Sequence, residues 1–358
     1  MKRLLFIFAL VLFVAQPALG ARAKIETLSA DPYLSALVID ADSGKILVDE
    51  NSEAIAYPAS VLKLMVLYVI LDRIEQGSLR LDDLVQVTRE ASQMGGSQVY
   101  LDPKEQFSVE DLLYALIIQS ANDAAVALAI HVAGSKDGFV AIMNEKAKEL
   151  GMNGTTFYSV HGLPPSEGQQ PDRTTARDLA MLARELAKNP EVFKYTGTRE
   201  RDFRGGEFIM RTHNKLLASV DGCDGFKTGY FKAAGFSIVA TAKRNGVRII
   251  AVVLGSLDRK VRDAKTAELI AIGFAKTPPR PEAQVVTKEQ AAPVQPQPQS
   301  STPPTAVEKT MAPETDKEPS RLGRDLMMIG IGFGAGVLAC VLVVMLRPGP
   351  RSKGRRLM

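Results

Sequence analysis

Ser60 and Lys63 stand three residues apart in the stretch Tyr57-Pro58-Ala59-Ser60-Val61-Leu62-Lys63-Leu64-Met65-Val66. Along a helix that spacing puts two side chains on one face. A serine hydroxyl is a poor nucleophile until a base takes its proton. A buried lysine can be that base, because desolvation and a nearby cation lower the pKa of an ammonium. Pro58 suits a first helical turn, where its missing N–H costs nothing. A hydroxyl at that end also meets the positive pole of the helix dipole. Apolar residues from Val61 to Val69 run around nearly all sides, so the helix is expected to be buried. The same spacing fits an ordinary core helix with an extended lysine and an incidental serine.

Two polar groups elsewhere could share a cleft with this pair. Ser120-Ala121-Asn122 falls at the break between two apolar helical stretches. There it is either a plain helix cap or a hydroxyl and an amide aimed at a reacting bond. Lys227-Thr228-Gly229 follows Val220-Asp221-Gly222-Cys223-Asp224-Gly225 on an expected strand. A strand that ends a sheet can receive an extended substrate, and Gly229 would let backbone approach backbone. Lys227 would carry a charge of fixed sign to an anionic group, or else guard a surface edge against aggregation.

These residues need a scaffold, and residues 24–277 offer one. Segments 35–40 and 45–48 read as strands around an Asp42-Ser43-Gly44 turn. The Ser60 helix follows. Ser108 suits the N-cap of a helix over 109–119, with Asp111 in capping-box position. Further helices are expected over about 123–133, 139–150 and 175–187. Segments 236–243 and 247–254 read as a hairpin through Arg244-Asn245-Gly246, and Asn-Gly is the strongest short hairpin signal. Segment 264–275 closes the body as a helix. Strands, then helices, then strands predict an α+β fold, an antiparallel sheet covered by helices.

The chain has 358 residues, 46% of them hydrophobic, enough for one large domain plus extras. Its net charge is +4, and much of that sits in the last dozen residues. The body is therefore near neutral, with no signature of nucleic-acid binding. The only cysteines are Cys223 and Cys340, which excludes a disulfide framework and a cysteine-based zinc site. Cys223 reads as a small packed residue or a reactive thiol. Met1-Lys2-Arg3, an apolar run and Gln16-Pro17-Ala18-Leu19-Gly20 make residues 1–20 a signal peptide. Residues 326–346 hold 21 residues and no charge, which predicts one transmembrane helix. Arg347, Arg351, Lys353, Arg355 and Arg356 then hold a basic tail, residues 347–358, on the cytoplasmic side. Gly330, Gly332, Gly334 and Gly336 form two G-x-x-x-G pairs; these either seat a second copy as a homodimer or reflect how common glycine is in membrane helices. Residues 278–320, rich in Pro, Gln, Thr and Glu, read as a disordered spacer. The body thus lies outside a single-pass membrane anchor.

The three polar groups, S-x-x-K, S-x-N and K-T-G, follow in this order, about sixty and about a hundred residues apart. As a set they mark the penicillin-recognising serine enzymes. Tyr57-Pro58-Ala59-Ser60, Ser120-Ala121-Asn122-Asp123-Ala124-Ala125, His161-Gly162-Leu163-Pro164, Asp178-Leu179-Ala180 and Asp224-Gly225-Phe226-Lys227-Thr228-Gly229-Tyr230 narrow the match. Over nearly all of 24–277 the chain resembles the D-alanyl-D-alanine carboxypeptidases, the low-molecular-weight penicillin-binding proteins of serine peptidase family S11. The resemblance implies a β-lactamase/DD-peptidase-like fold in a bacterial cell membrane protein, with the catalytic domain on the wall side. It implies removal of the terminal D-alanine from peptidoglycan stem peptides, inhibition by β-lactams, and no cofactor or metal. Ser60 would form the acyl-enzyme, with Lys63 as its base. Ser120 would pass a proton to the leaving D-alanine, and Asn122 would hold the peptide and Lys63. Lys227 and Thr228 would bind the terminal carboxylate beside Gly229, assisted by Arg262 ahead of the closing helix. The N–H groups of Ser60 and Tyr230 would form the oxyanion hole.

Departures from the family pattern bear on substrate choice. Its best-known members carry a second, all-β domain and an amphipathic anchor, which the spacer and spanning helix replace here. Phe231 stands where threonine is usual, and His213 where arginine often precedes Asn214; both would flank the carboxylate site. Three other readings stay open: a DD-endopeptidase, a β-lactamase using Glu167 for deacylation, and a non-catalytic penicillin-binding sensor on the membrane.

Overall fold

The computed structural model describes residues 22–280. In chain order its strands are β1 (Ser35–Asp40), β2 (Ile46–Glu50), β3 (Leu84–Gln86), β4 (Gln106–Ser108), β5 (Glu200–Phe203), β6 (Phe208–Arg211), β7 (Cys223–Phe231), β8 (Gly235–Arg244) and β9 (Val247–Ser256). β1 is buried at every position, as a strand can be only when both sheet faces are covered. It lies second in a five-stranded sheet of order β2-β1-β9-β8-β7, and every pairing in it is antiparallel. The chain's first strand is thus zipped to its last, with Ser35 opposite Leu254 and Asp40 opposite Ile249. Asn245 and Gly246 turn β8 into β9 at positive φ, 47° and 74°, the backbone that a tight hairpin requires. β7 is left at the edge.

Apolar layers cover both faces of the sheet. The larger one holds the Lys63–Glu75 helix at its centre; Leu64, Met65, Val66, Leu67, Val69 and Ile70 are all fully buried. The first half of that helix is apolar on nearly all sides because it is packed in protein there, while Asp72, Arg73 and Glu75 bring the second half to the surface. The smaller layer lies under the Arg259–Lys276 helix, which sets Leu269 and Ile270 against Val38, Ile249 and Ala251. At Gly273 a Cβ would come within 2.6 Å of Ile249, so only glycine permits this closeness of helix and strand.

The α+β class with an antiparallel sheet is as expected, and the cap at Ser108 forms, its Oγ accepting the Asp111 N–H at 3.1 Å. Three local readings change. The expected helix over 109–119 is α-helical only through Val109–Tyr114 and widens to a π turn over Ala115–Gln119. Ser60 lies on a 3₁₀ turn, Ala59–Leu62, before the α-helix begins at Lys63. The closing helix starts at Arg259, because Asp258 accepts the N–H groups of Lys260 at 2.6 Å and Val261 at 3.1 Å. Arg262 therefore sits in its first turn and not ahead of it. The ribbons β3–β4 and β5–β6 are too short to show an alternating pattern in sequence. The signal peptide (1–20), the anchor helix (326–346), the tail (347–358) and all but the first residues of the spacer (278–320) lie outside the described residues. Among the described residues no helix is long and apolar enough to cross a membrane.

Leu67 sits wholly buried in the central helix, whereas Ile46 on β2 is 38% exposed. Leu67→Ala should cost about 2–5 kcal/mol in thermal or denaturant unfolding. Ile46→Ala should stay within about 0.5 kcal/mol of the parent. Similar losses at both positions would contradict this placement of the core.

Candidate active site

Two glycines grip the turn that carries Ser60. Gly162 has φ +73°, and a Cβ on it would fall 2.1 Å from the Ala59 carbonyl oxygen. A Cβ on Gly229 of β7 would fall 2.7 Å from the Pro58 oxygen and 3.0 Å from the Ser60 nitrogen. A loop and an edge strand thus touch the turn backbone to backbone, with no room for any side chain. Ala59 adopts φ 46°, a strained value for alanine, and these contacts hold it there.

Lys63 is completely buried. Its Nζ lies 2.7 Å from Asn122 Oδ1, 2.7 Å from the His161 carbonyl oxygen and 3.1 Å from Ser60 Oγ. Burial first, and then the charge of Lys227, push its pKa well below the usual lysine range; Asp123 and Asp172 oppose the shift. A neutral amine has two N–H groups and one lone pair. In that form the two carbonyl oxygens would take the N–H groups and leave the lone pair for the Ser60 hydroxyl, the longest of the three contacts. Asn122 is itself fixed, because its Nδ2 donates to the Gly95 carbonyl at 2.7 Å. Next to it the buried Asp123 carboxylate accepts the N–H groups of Val99 and Leu101. Asn122 therefore points its oxygen at Lys63 with no freedom to flip.

The His161 carbonyl is held by a chain of bonds that motif reading passed over. Asp172 accepts the N–H of Tyr158 at 2.6 Å and of Ser159 at 2.9 Å, and the Ser159 hydroxyl at 2.7 Å. Ser159 Oγ in turn accepts the Gly162 N–H at 2.9 Å. Burial raises the Asp172 carboxyl to about 6, and these donors limit the rise. His161-Gly162 was legible as a motif, but Asp172 stands apart from it in sequence and carries no signature of its own.

The cleft in front of Ser60 has a volume of about 400 Å³; Ser120, His213, Thr228, Tyr230 and Arg262 are among its lining residues. Ser120 is 2% exposed and adopts φ 61°, the residue after the π turn that ends the preceding helix. π turns recur at functional sites, and this one ends at Ser120, which lines the cleft together with Ser60. Lys227 is almost fully buried, and its Nζ donates to the Thr228 carbonyl at 3.0 Å. Desolvation, then Arg262, bring its pKa down to about 7, so its charge is not of fixed sign as the sequence suggested. Arg262 is also buried; it pairs with Asp263 and donates to the Ser237 carbonyl at 3.4 Å. That carbonyl lies at an irregularity in the β8–β9 register between Phe236 and Ile238.

Tyr230 is 55% exposed and stacks on Phe236, with ring centres 4.1 Å apart. His213 lines the cleft, where desolvation and the charges of Lys227, Lys215, Lys63 and Arg262 lower its pKa. Phe231 instead stacks on Tyr57 at 5.8 Å and is not among the lining residues. Arg259, Ser97, Thr212 and Lys215 line the cleft without having been singled out in sequence. Cys223 is a packed residue: burial pushes its thiol up to about 11, and Sγ lies 3.6 Å from the Gly225 oxygen. Among the described residues no group of His, Cys, Asp and Glu is placed to share a metal ion.

Comparison with known proteins agrees with this geometry. Residues 22–257 match the family model described as D-alanyl-D-alanine carboxypeptidase. The D-alanyl-D-alanine carboxypeptidase DacF of Bacillus subtilis is 36% identical over 283 residues, 77% of this chain and 72% of that one. DacC of Escherichia coli, of the same description, is 36% identical over 292 residues, 78% of this chain and 71% of that one. The crystal structure of penicillin-binding protein D2 from Listeria monocytogenes in its ampicillin-bound form superposes with a TM-score of 0.61. It is 30% identical and covers 70% of this chain and all of its own.

A carboxylate entering the cleft should raise the depressed pKa of Lys227. At pH 8, above the free value of about 7, binding must then take up a proton. Calorimetry of a Ser60→Ala variant with a D-Ala-D-Ala peptide, in buffers of different ionisation enthalpy, should show that uptake. No buffer dependence at pH 8 would mean that Lys227 is not the titrating partner.

Proposed function

The chain belongs to the D-alanyl-D-alanine carboxypeptidase family, and we propose on that premise that Ser60, Lys63 and Ser120 remove the terminal D-alanine from peptidoglycan stem pentapeptides. The observation that carries the reading is the completely buried Lys63, its Nζ 3.1 Å from Ser60 Oγ and its pKa pushed well below the usual lysine range by burial and Lys227. Lys63 takes the hydroxyl proton as Ser60 Oγ attacks the carbonyl carbon of the penultimate D-alanine. The N–H groups of Ser60 and Tyr230 hold the resulting oxyanion. The C–N bond breaks, Ser120 passes a proton to the leaving nitrogen, and D-alanine departs. Water then hydrolyses the ester and restores Ser60. Asn122 holds the peptide as well as Lys63. Lys227, Thr228 and Arg262 bind the terminal carboxylate, while Gly229 lets the substrate lie against β7 as an added strand.

β-Lactams acylate the same hydroxyl and inhibit the enzyme. In class A β-lactamases a glutamate and a water drive fast deacylation. Glu167 does not supply it, because it lies on an exposed turn and is not among the cleft's lining residues. Residues 326–346 anchor the enzyme as a single membrane-spanning helix, with the body on the wall side and residues 278–320 as its tether; the uncharged run and the basic tail support this. The paired glycines of that helix support a homodimer.

Ser60→Ala should abolish covalent labelling by a fluorescent penicillin, with the fold retained by circular dichroism. A mutant that labels at the parental level would move the acylated residue elsewhere. The full-length chain should remain with membranes through high-salt and alkaline washes, and a form ending at Thr277 should be soluble and active. Release of the full-length chain into the wash would rule out the spanning helix.

A further inference from the structure

One of the three contacts of Lys63 is the carbonyl of His161, which lies in a bend outside any helix or strand. The His161 ring steadies the next residues, its Nδ1 accepting the Leu163 N–H at 3.1 Å. Behind the bend stands Asp172, 7% exposed. Its carboxylate takes the N–H groups of Tyr158 and Ser159 and the Ser159 hydroxyl, and Ser159 Oγ carries the grip on to the Gly162 N–H. Both ends of this relay reach the turn that bears Ser60. His161 does so through Lys63, and Gly162 through its close approach to the Ala59 carbonyl.

The segment carrying Asp172 is itself anchored. Thr156 and Arg173 exchange backbone hydrogen bonds at 3.0 and 2.9 Å. Thr174 and Ala56 exchange another pair at 2.9 and 2.8 Å, and Ala56 leads directly into Tyr57-Pro58-Ala59-Ser60. Asp172 therefore keeps a fixed place relative to the chain that enters the turn. It is not among the residues lining the cleft, so it acts only through others.

Holding a loop does not need a charge. Neutral acceptors would receive the same donors without taking a carboxylate out of water. What the carboxylate adds is its field. Charged groups face Lys63 from three elements: Lys227 on β7 lowers its pKa, while Asp123 on the Asn122–Ala133 helix and Asp172 raise it. Two histidines also feel Lys63, but burial lowers His161 to about 3 and His213 to about 4, so both rings are neutral near pH 7. Lys63 is in turn the charged group that Asp172 feels.

We propose that Asp172 is a positioning residue for acyl transfer: it fixes the His161 carbonyl and Gly162 behind the Ser60–Lys63 pair, and its negative charge favours passage of the Ser60 proton to Lys63. This rests on the acyl-enzyme reading above. As Ser60 Oγ bonds to the substrate carbonyl carbon, its proton moves to Lys63 Nζ, which becomes an ammonium. The Asp172 carboxylate stabilises that new charge until a proton is returned to the leaving nitrogen by way of Ser120.

The test compares the full-length enzyme with Asp172→Asn and Ser159→Ala variants, their folding checked by circular dichroism. D-Alanine release from diacetyl-lysyl-D-alanyl-D-alanine is followed at pH 8, where the Asp172 carboxyl, titrating at about 6, is ionised. Acylation by a fluorescent penicillin is followed from pH 5 to 9. Asp172→Asn keeps the shape and removes the charge. Its kcat should fall about ten- to a hundredfold through misplacement of the base, with KM within about twofold, because Asp172 touches no substrate. The acid limb of acylation should move to lower pH, since one of the two charges that hold up the Lys63 pKa is gone. Ser159→Ala cuts the link to Gly162 and leaves the carboxylate; its kcat should fall about three- to thirtyfold, again with little change in KM. An acid limb that stays in place in Asp172→Asn would overturn the proposal, even with a lower kcat, and so would parental kcat in both variants. If Asp172→Asn does not fold, parental kcat in Ser159→Ala would overturn it. A parent that neither labels at Ser60 nor releases D-alanine would overturn the acyl-enzyme reading instead.

Discussion

An amine with no access to water underlies the rest of this site. Lysine is normally among the least buried residues, because removing its charge from water is expensive. Giving up its proton would spare Lys63 that cost, and burial together with Lys227 lowers its pKa in that direction. Aliphatic side chains of the central helix lie around it, and Lys227 adds a like charge from β7. Asn122 and the His161 carbonyl then supply acceptors for the two remaining hydrogens. The same burial that disfavours a charged lysine is what the proposed role of Lys63 as base requires.

Position matters as much as protonation, and backbone contact fixes it. Gly162 and Gly229 come from elements distant in sequence, yet both meet the turn at Pro58–Ser60. The turn cannot relax toward regular α-helix while they press on it. The strain at Ala59 is therefore held by the packing of the whole body and not by local hydrogen bonding. The buried Asp172 does the equivalent for the loop behind Lys63, gathering three donors around one carboxylate.

Much of this was legible in the chain. Hydrophobic period and turn chemistry located the sheet strands and the longer helices, because those signals are local. The spacing of Ser60 and Lys63 suggested their pairing. Three polar groups in order identified the family and hence a shared cleft. What sequence could not show was tertiary. The π turn at Ala115–Gln119 has no distinctive composition, yet it aims Ser120. The start of the closing helix was set by an Asp258 cap lying outside the apolar period. Asp172 is one aspartate among many until burial and three donors single it out. The charge of Lys227 looked fixed only because burial beside Arg262 is invisible in one dimension.

The pairing of β1 with β9 carries a consequence for the order of events in the cell. Ser35–Asp40 cannot take its place in the sheet until Val247–Ser256 exists to receive it. A chain emerging N-terminus first would expose Ser60 and Lys63 long before the strand bearing Lys227 and Gly229 arrives. Contacts so distant in sequence also close slowly. A partly emerged chain therefore has Ser60 and Lys63, the proposed nucleophile and base, but neither the Gly229 contact that shapes the turn nor Lys227, which lowers the pKa of Lys63. On the proposed mechanism the site would become competent only after nearly the whole body has appeared, which would keep Ser60 dormant during synthesis.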